Sequence, residues 1–180
     1  LKKNLADLYK TAPKPIAKEA PVSIKIDGRD SYRDSLTTVS KLSDKEAETH
    51  MALADAQAEL WAKETGKAPE EWYANTFGEI RNDAAHVEKI AKANNITTEE
   101  ARKLLLEKTG GEDPNGFIEF NKQNKAIITI YSTADRTTRL HEDLGHTYMQ
   151  RRILEAVSGD LKGADVVKRV VDAYNAENRS

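Results

Sequence analysis

The chain has 180 residues, of which 38% are apolar and 32% are charged, and this composition suits one domain, or one domain with a flanking arm. Its 28 basic and 30 acidic residues give a net charge of -2, which argues against the basic surface of a nucleic-acid-binding protein. The lack of cysteine excludes disulfides, cysteine-ligated zinc and thiol catalysis, and no apolar run approaches the roughly 20 residues of a membrane helix.

The first 42 residues are predicted to form an arm or linker. A short apolar helix candidate around Leu8 is followed by closely spaced prolines, which favour extended backbone. Residues 22–26 alternate apolar and polar side chains, which predicts a short strand. Residues 29–42 are polar and poorly patterned, so a single domain is placed over residues 43–180. Because the chain begins at Leu1 rather than Met, we expect a fragment or processed product, and truncation of the domain at its C-terminus is left open.

A long helix is predicted next. Ser43 and Glu46 form a capping box that opens this helix, and Gly66 follows Thr65 as a stop. Pro69 and the two acids after it open a second helix, whose apolar side is built from Trp72, Tyr73, Phe77 and Ile80. The aromatic cluster of Trp61, Trp72 and Tyr73 is expected to pack in the core rather than to bind a ligand.

Two further helical segments come before the pattern of apolar residues changes from helical to strand-like. Apolar residues keep helical spacing over 87–91, and Thr97 with Glu100 forms a second capping box, for a helix through Leu106. Residues 117–131 then hold two strand-like runs around a polar turn, which predicts a β-hairpin.

A helix from the cap candidates Asp135 and Thr137 to about Val157 comes next, and a last helix is predicted over residues 164–176. The predicted fold class is therefore α+β, mostly helical, with a small sheet beside the helix that runs to Val157.

This helix carries two of the four histidines, in the string His141-Glu142-Asp143-Leu144-Gly145-His146. Zinc peptidases use two imidazoles on one helix face to bind the ion and a carboxylate to take a proton from the activated water. Their usual spacing, H-E-x-x-H, separates the histidines by four residues, which nearly aligns them on an α-helix.

The spacing in this chain is five residues. At about 100° per residue, five steps turn the second imidazole by roughly 140° from the first, so a regular α-helix cannot aim both at one ion. A π-bulge between them would restore the alignment, and Gly145 offers backbone freedom for one. The second solution is a helix that begins only after His141.

Two blocks of the chain resemble a known family. The later block consists of residues 116–120 and 126–131, then Ala134-Asp135 with Thr137-Thr138 and Leu140-His141-Glu142, then Gly145-His146. It resembles the pattern of zinc-peptidase-like domains in phage polyvalent and mobile-element proteins. An earlier block is similar to the helical signature of that family. It consists of Trp61-Ala62, Thr65-Gly66 and Pro69-Glu70-Glu71-Trp72-Tyr73. The likeness covers about residues 44–157.

The resemblance implies a zincin-like metallopeptidase domain over residues 43–180, with His141 and His146 as zinc ligands and Glu142 as the general base. It also implies a protein or peptide substrate, in a bacterial host cytoplasm or associated with a virion. The net charge and the lack of a long apolar run predict neither a nucleic-acid partner nor a membrane. The oligomeric state stays open. A catalytic site needs a third protein ligand, which family analogy places downstream. The candidates are Glu155, Asp160, Asp165, Asp172 and Glu177, or a residue beyond Ser180.

The extra residue in the motif, most simply Asp143, is expected to face solvent, with an oxygen ligand as the alternative. His50 is interpreted as structural or exposed, His86 has no metal-binding partner in the sequence, and Arg151-Arg152 is interpreted as a solvated helix face. The alternative function is a degenerate, metal-free member that acts as a structural or protein-interaction module. A nucleic-acid-binding role is a weak third hypothesis.

Overall fold

The structure, a computed structural model, describes residues 19–108, 115–132, 134, 135, 137–159, 165, 168, 169 and 172. Its elements in chain order are β1 (Ser23–Lys25), α1 (Arg29–Thr38), α2 (Asp44–Thr65), α3 (Glu71–Thr76), β2 (Phe77–Asn82), α4 (Asp83–Asn94), α5 (Thr98–Lys108), β3 (Gly116–Phe120), β4 (Ala126–Ile130), α6 (Thr138–Leu140), a π-helix (His141–Thr147) and α7 (Tyr148–Val157). The predicted α+β class, mostly helical with a small sheet, is confirmed.

The strands form one mixed sheet in the order β1-β2-β4-β3. β1 is antiparallel to β2, β2 is parallel to β4, and β3 is antiparallel to β4. Every residue of β4 is buried, as expected for an interior strand of β-branched residues. The strand predicted within residues 22–26 and the hairpin predicted within 117–131 are both confirmed, with Gly116 opposite Ile130 in the hairpin.

The helix predicted to run from Pro69 through Ile80 is wrong in its second half. The helix ends at Thr76, and the chain continues as strand β2. The spacing of the apolar side chains at 72, 73, 77 and 80 is compatible with a helix or a strand. Residues 77–82 form a strand because they pair with both β1 and β4. Gly78 lies at a bulge in this strand, where a Cβ would meet Asn121 Nδ2 at 3.0 Å.

Residues 29–42 contain a helix that the polar sequence did not predict. Helix α1 turns a narrow stripe inward, and Tyr32 and Leu36 are fully buried in the same core cluster as Met51 and Trp61. The proposed boundary at residue 42 therefore does not coincide with a break in packing. The arm residues before 19, including the helix candidate around Leu8, lie outside the described residues.

The helix caps follow the sequence closely. Ser43 and Glu46 form the predicted capping box of α2, and Gly66 ends that helix in the left-handed region at φ 75°. Thr97 and Glu100 exchange the corresponding bonds before α5. Trp61, Trp72 and Tyr73 are buried in the main core, as predicted.

Arg152 corrects the interpretation of Arg151-Arg152 as a solvated face. The Arg152 side chain is fully buried and forms ion pairs with Glu64 and Glu155. Arg151 is half-buried and pairs with Glu155 as well. A buried arginine needs such partners, because an unpaired charge in the interior is costly.

Of the last predicted helix, the described residues 165, 168, 169 and 172 are helical, and the remainder lies outside the described residues. Within the described part of the chain, no helix is both long and apolar enough to cross a membrane.

Candidate metal centre

The helix that carries the candidate site begins with a strong cap. One oxygen of Asp135 accepts hydrogen bonds from the backbone N–H and the hydroxyl of both Thr137 and Thr138, at 2.8 to 3.1 Å. These bonds lower the pKa of Asp135 and satisfy N–H groups that the first helical turn leaves open. We call residues 138–157, which comprise α6, the π-helix and α7, the site helix.

The middle of the site helix is a π-helix, the first of the two solutions that the five-residue spacing left open. It spans seven residues, His141–Thr147, and α-helix resumes at Tyr148. The Thr147 hydroxyl donates to the carbonyl of Glu142, five residues earlier, at 2.8 Å. Gln57 of α2 donates to the carbonyl of Leu144 at 3.1 Å, so this widened turn also has a polar contact with a neighbouring helix.

The π-helix brings the two histidine side chains together. His141 Nε2 and His146 Nε2 lie 2.8 Å apart, and the rings meet edge to face with centroids 4.4 Å apart. Both residues are exposed. Zinc–nitrogen bonds of about 2.0–2.1 Å in a tetrahedral site place two ligand nitrogens about 3.3 Å apart, so an opening of roughly half an ångström would admit the ion.

Glu142 lies directly beside this pair and is only 8% exposed. Its side chain covers Gly116 at the start of β3, where a Cβ would meet Glu142 Oε1 at 3.0 Å and Thr138 Cγ2 at 3.0 Å. Burial raises the pKa of the Glu142 carboxyl above its ordinary value, while His146 and His141 oppose that rise. A partly desolvated carboxyl of this kind is a better proton acceptor than an exposed one.

An open cleft of about 530 Å³ adjoins His141 and Glu142. Its lining includes His141 and Glu142 from the site helix, Asp135 from the cap, and Asn115 at the entrance to β3. The cleft therefore lies where the sheet and the start of the site helix meet.

Asp143 does not face solvent, so its predicted exposure is wrong. It is fully buried, and its two oxygens accept from Arg139 Nε at 2.9 and 2.8 Å, while Tyr32 Oη donates to Oδ2 at 2.5 Å. Burial alone would raise the pKa of Asp143, but the Arg139 charge and the contact with His50 outweigh it and hold the pKa below its ordinary value. These partners take up both carboxylate oxygens.

The other two histidines have structural surroundings. His50 is buried on α2, where its Nε2 lies 2.9 Å from Tyr32 Oη and 3.3 Å from Asp143. His86 is buried on α4 and stacks on Phe117, and burial together with the Arg81 charge lowers its pKa to about 4.

The candidates for a third ligand divide into three groups. Glu155 accepts from Trp61 Nε1 at 2.8 Å and pairs with Arg151 and Arg152, so its carboxylate is already engaged. Asp165 and Asp172 are exposed and pair with Arg169 and Lys168. Asp160 and Glu177 lie outside the described residues. No group of three His, Cys, Asp or Glu side chains suited to a metal ion occurs among the residues that the structure describes.

Three residues near the site were missed by sequence reasoning. Gly116 had a signal, because a glycine at the start of a strand often marks a close approach of another group. Arg139 had a weaker one, since it stands four residues before Asp143 on a predicted helix. Tyr32 had none, because it lies 111 residues from Asp143 in sequence.

Comparisons with models of protein families, with curated proteins and with solved structures found no match to this chain.

Proposed function

We propose that the chain is a zinc-dependent peptidase domain of zincin type, or a domain derived from one, in a phage or mobile-element protein. The site of action would be the host cytoplasm or the virion. His141 and His146 would hold the metal, and Glu142 would act as the general base. The family assignment rests on the motif blocks in the sequence.

The observation that carries this proposal is the convergence of His141 and His146. Their Nε2 atoms lie 2.8 Å apart on an exposed surface, although five-residue spacing on a regular α-helix would separate them by roughly 140°. π-Helical turns are rare and occur often at functional sites. The donor set, two imidazoles beside a carboxylate, suits zinc.

The chemistry divides between the metal and the chain. Zinc, when bound, supplies a Lewis acid that polarises a carbonyl and lowers the pKa of water. Glu142 would accept the proton that water loses as its oxygen bonds to the peptide carbon, and would then return that proton to the departing amine. Its raised pKa and its position over Gly116, in the residue next to His141, suit both transfers.

A peptide substrate also suits the position of β3. This strand forms one edge of the four-stranded sheet, and Glu142 packs against its first residue. Strand edges bind extended peptides through main-chain hydrogen bonds. We expect the substrate to enter the adjoining cleft beside His141 and Glu142.

The alternative is a metal-free interaction or structural module. One observation favours this module: the 2.8 Å between His141 Nε2 and His146 Nε2 is a hydrogen-bond distance, so one nitrogen of each ring is satisfied without an ion. The two proposals differ in what the histidines are needed for.

The first experiment measures zinc binding by metal-free protein, using competition with a chromophoric chelator and elemental analysis. We expect about one zinc per chain. His146→Ala should weaken binding by about 100-fold or more, because loss of even an outer-shell partner costs about 10–100-fold. His86→Asn is the matched control, since it removes a histidine outside the pair and should leave zinc affinity unchanged.

The second experiment separates peptidase from module. Zinc-loaded protein is incubated with a peptide mixture, and cleavage is detected by mass spectrometry. Glu142→Gln should retain zinc and lose cleavage. If the wild-type chain binds no zinc, or if His146→Ala binds it equally well, the metal-site proposal is wrong and the module becomes the better description.

A further inference from the structure

The residue that distinguishes this motif from H-E-x-x-H is buried rather than exposed. Asp143 belongs to the same π-helix as the exposed His141 and His146, yet none of its surface is accessible. A carboxylate loses its hydration when it is buried, and it stays charged only with partners that replace water. The positions of its partners therefore determine which side of the π-helix faces the interior.

Those partners lie on three different elements. Arg139 precedes Asp143 by one turn of the site helix and donates to both of its oxygens. Tyr32 of α1 donates its single hydroxyl proton to Asp143, so His50 of α2 must supply the proton in its 2.9 Å contact with Tyr32. The carboxylate thus ties the π-helix to α1 directly and to α2 through His50.

Arg139 is itself held in place. Its two terminal nitrogens donate to Ser35 at 3.0 Å and to Ser40 at 2.7 Å, and its guanidinium lies 5.3 Å from the centre of the Tyr32 ring. Ser35 and Tyr32 both belong to α1. The network around Asp143 is therefore fixed by a part of the chain far from the motif in sequence.

This network and the convergence of the histidines depend on the same backbone. If the helix returned to regular α geometry between Glu142 and His146, each later residue would rotate by about 100°, and either Asp143 would leave its partners or His146 would leave His141. The bonds of the Glu142 and Leu144 carbonyls to Thr147 and Gln57 stabilise the wider turn but do not select which side chain points inward.

We propose that Asp143 is a positioning residue which, through Arg139 and Tyr32, holds the turn in which His141 and His146 converge. The inserted residue thereby allows two histidines five residues apart to face the same metal ion. The relevance of this inference to zinc rests on the proposed function, whereas the convergence itself can be tested without metal.

The test uses metal-free protein and two variants, Asp143→Asn and Tyr32→Phe. A nuclear Overhauser effect between the ring protons of His141 and His146 reports their contact at a temperature well below each melting point. We expect this signal in the wild type, and we expect it to be weaker in Tyr32→Phe and lost in Asp143→Asn. Zinc affinity should fall about 10–100-fold in Asp143→Asn, as for other outer-shell changes.

The control is Val87→Ala, which removes buried volume from the separate α4–α5 cluster. It lowers stability without touching the network, and it should keep both the ring contact and the zinc affinity. A merely structural role for Asp143 predicts that its variants behave like this control.

The outcomes separate the two proposals. Ring contact and zinc affinity unchanged in both Asp143→Asn and Tyr32→Phe would overturn the positioning role while leaving the zinc site intact. A wild-type chain that shows the ring contact but binds no zinc would overturn the proposed function, and the loss or survival of the contact in the variants would still decide the role of Asp143.

Discussion

The π-helix carries two polar clusters that differ in almost every respect. The inner cluster surrounds the fully buried Asp143: both carboxylate oxygens accept from Arg139, one turn earlier in the site helix, and Oδ2 also accepts from Tyr32 of α1. The outer cluster, His141, His146 and Glu142, places two exposed rings in contact beside a partly desolvated carboxyl. Neighbouring residues of the π-helix therefore have opposite surroundings: Asp143 lies in a buried network of ion-pair and hydrogen-bond contacts, and the imidazoles of His141 and His146 face solvent.

Electrostatics sharpens the contrast between Glu142 and Asp143. Burial raises the pKa of Glu142, and the opposing effects of His146 and His141 do not cancel that rise. The same burial acts on Asp143, but Arg139 reverses the direction, and the pKa falls. The pKa values of two neighbouring carboxyls thus shift in opposite directions, because Asp143 has an arginine partner and Glu142 has none in the described part of the chain.

The largest expected effect comes from breaking the inner cluster. Arg139→Met leaves the buried Asp143 carboxylate without its cationic partner, and we expect the free energy of unfolding to fall by about 3–5 kcal/mol. Urea denaturation followed by circular dichroism measures this change.

Arg29→Met is the matched control for Arg139. Arg29 also pairs with an aspartate, Asp55, at 2.6 Å, but both side chains are substantially exposed, at 44% and 37%. Its loss should cost less than about 1 kcal/mol. Equal losses in the two variants would mean that burial does not distinguish these ion pairs and that the inner cluster contributes no special rigidity.

A smaller effect is expected at the outer cluster from Gly116→Ala. The added methyl would meet Glu142 Oε1 and Thr138 Cγ2 at 3.0 Å, so the carboxylate must move. We expect a loss of about 1–3 kcal/mol in unfolding free energy, as for other overpacked sites. If the proposed function holds, peptide cleavage should fall while zinc affinity persists, because the histidines are not displaced.

Gly28→Ala serves as the control for Gly116→Ala. A Cβ at Gly28 meets nothing within 4 Å, and its φ of 177° is ordinary extended backbone. Stability and zinc affinity should change little. A Gly116→Ala variant that behaves like Gly28→Ala would show that Glu142 is free to shift without consequence.

The opposite pKa shifts of the two carboxyls predict opposite pH profiles of stability. The folded-state pKa of Glu142 is raised from 4.5, so wild-type protein should lose stability relative to Glu142→Gln as the pH rises through that folded-state value. The folded-state pKa of Asp143 is lowered from 3.8, so its contribution is present above 3.8 and is lost as the pH falls through the lower folded-state value. Asp143→Asn should lack that acid-dependent loss.

Urea denaturation of metal-free protein at several pH values between about 2 and 8 tests this pair, because the contribution of Asp143 is lost below its unfolded-state pKa and that of Glu142 is lost above its own. Glu142→Gln should gain on the wild type toward neutral pH, whereas Asp143→Asn should fall behind it there. Parallel profiles for both variants would mean that the two carboxyls have similar environments and that the contrast between the clusters is wrong.

Local patterns predicted much of the fold and the outer cluster. Caps at Ser43 and Gly66, strand alternation at residues 22–26 and the hairpin at 117–131 each depend on neighbours in sequence, and each was confirmed. The five-residue spacing of the histidines left two local solutions, a π-bulge or a helix that begins after His141, and the structure has the π form.

The inner cluster depends on contacts that local patterns do not contain. Asp143, the extra residue of the motif, was expected to face solvent, and of the two donors to its carboxylate only Arg139 is near it in sequence. Its other donor, Tyr32, lies 111 residues away in sequence. It belongs to a helix that was not predicted, because most of its residues are polar and only a few are buried. The strand at Phe77–Asn82 was missed for a related reason, since its pairing partners β1 and β4 lie far away in sequence.

The smallest expected effect concerns Gly145, which the sequence suggested as a source of backbone freedom for the wide turn. Its φ is not positive, and a Cβ there would meet nothing within 4 Å, so the turn has no steric need of glycine. Gly145→Ala should therefore raise the free energy of unfolding by about 0.5–1 kcal/mol, because alanine loses less conformational freedom in a helix. Zinc affinity should not change.

Gly66→Ala provides the opposite case within the same chain. Gly66 ends α2 at φ 75°, where a side chain is strained, so this substitution should lower stability by about 1 kcal/mol. Thermal and urea denaturation of the two variants side by side give the comparison. If Gly145→Ala also lowers stability, the π-helix needs the flexibility of glycine after all, and the buried contacts of Asp143 alone do not hold the turn.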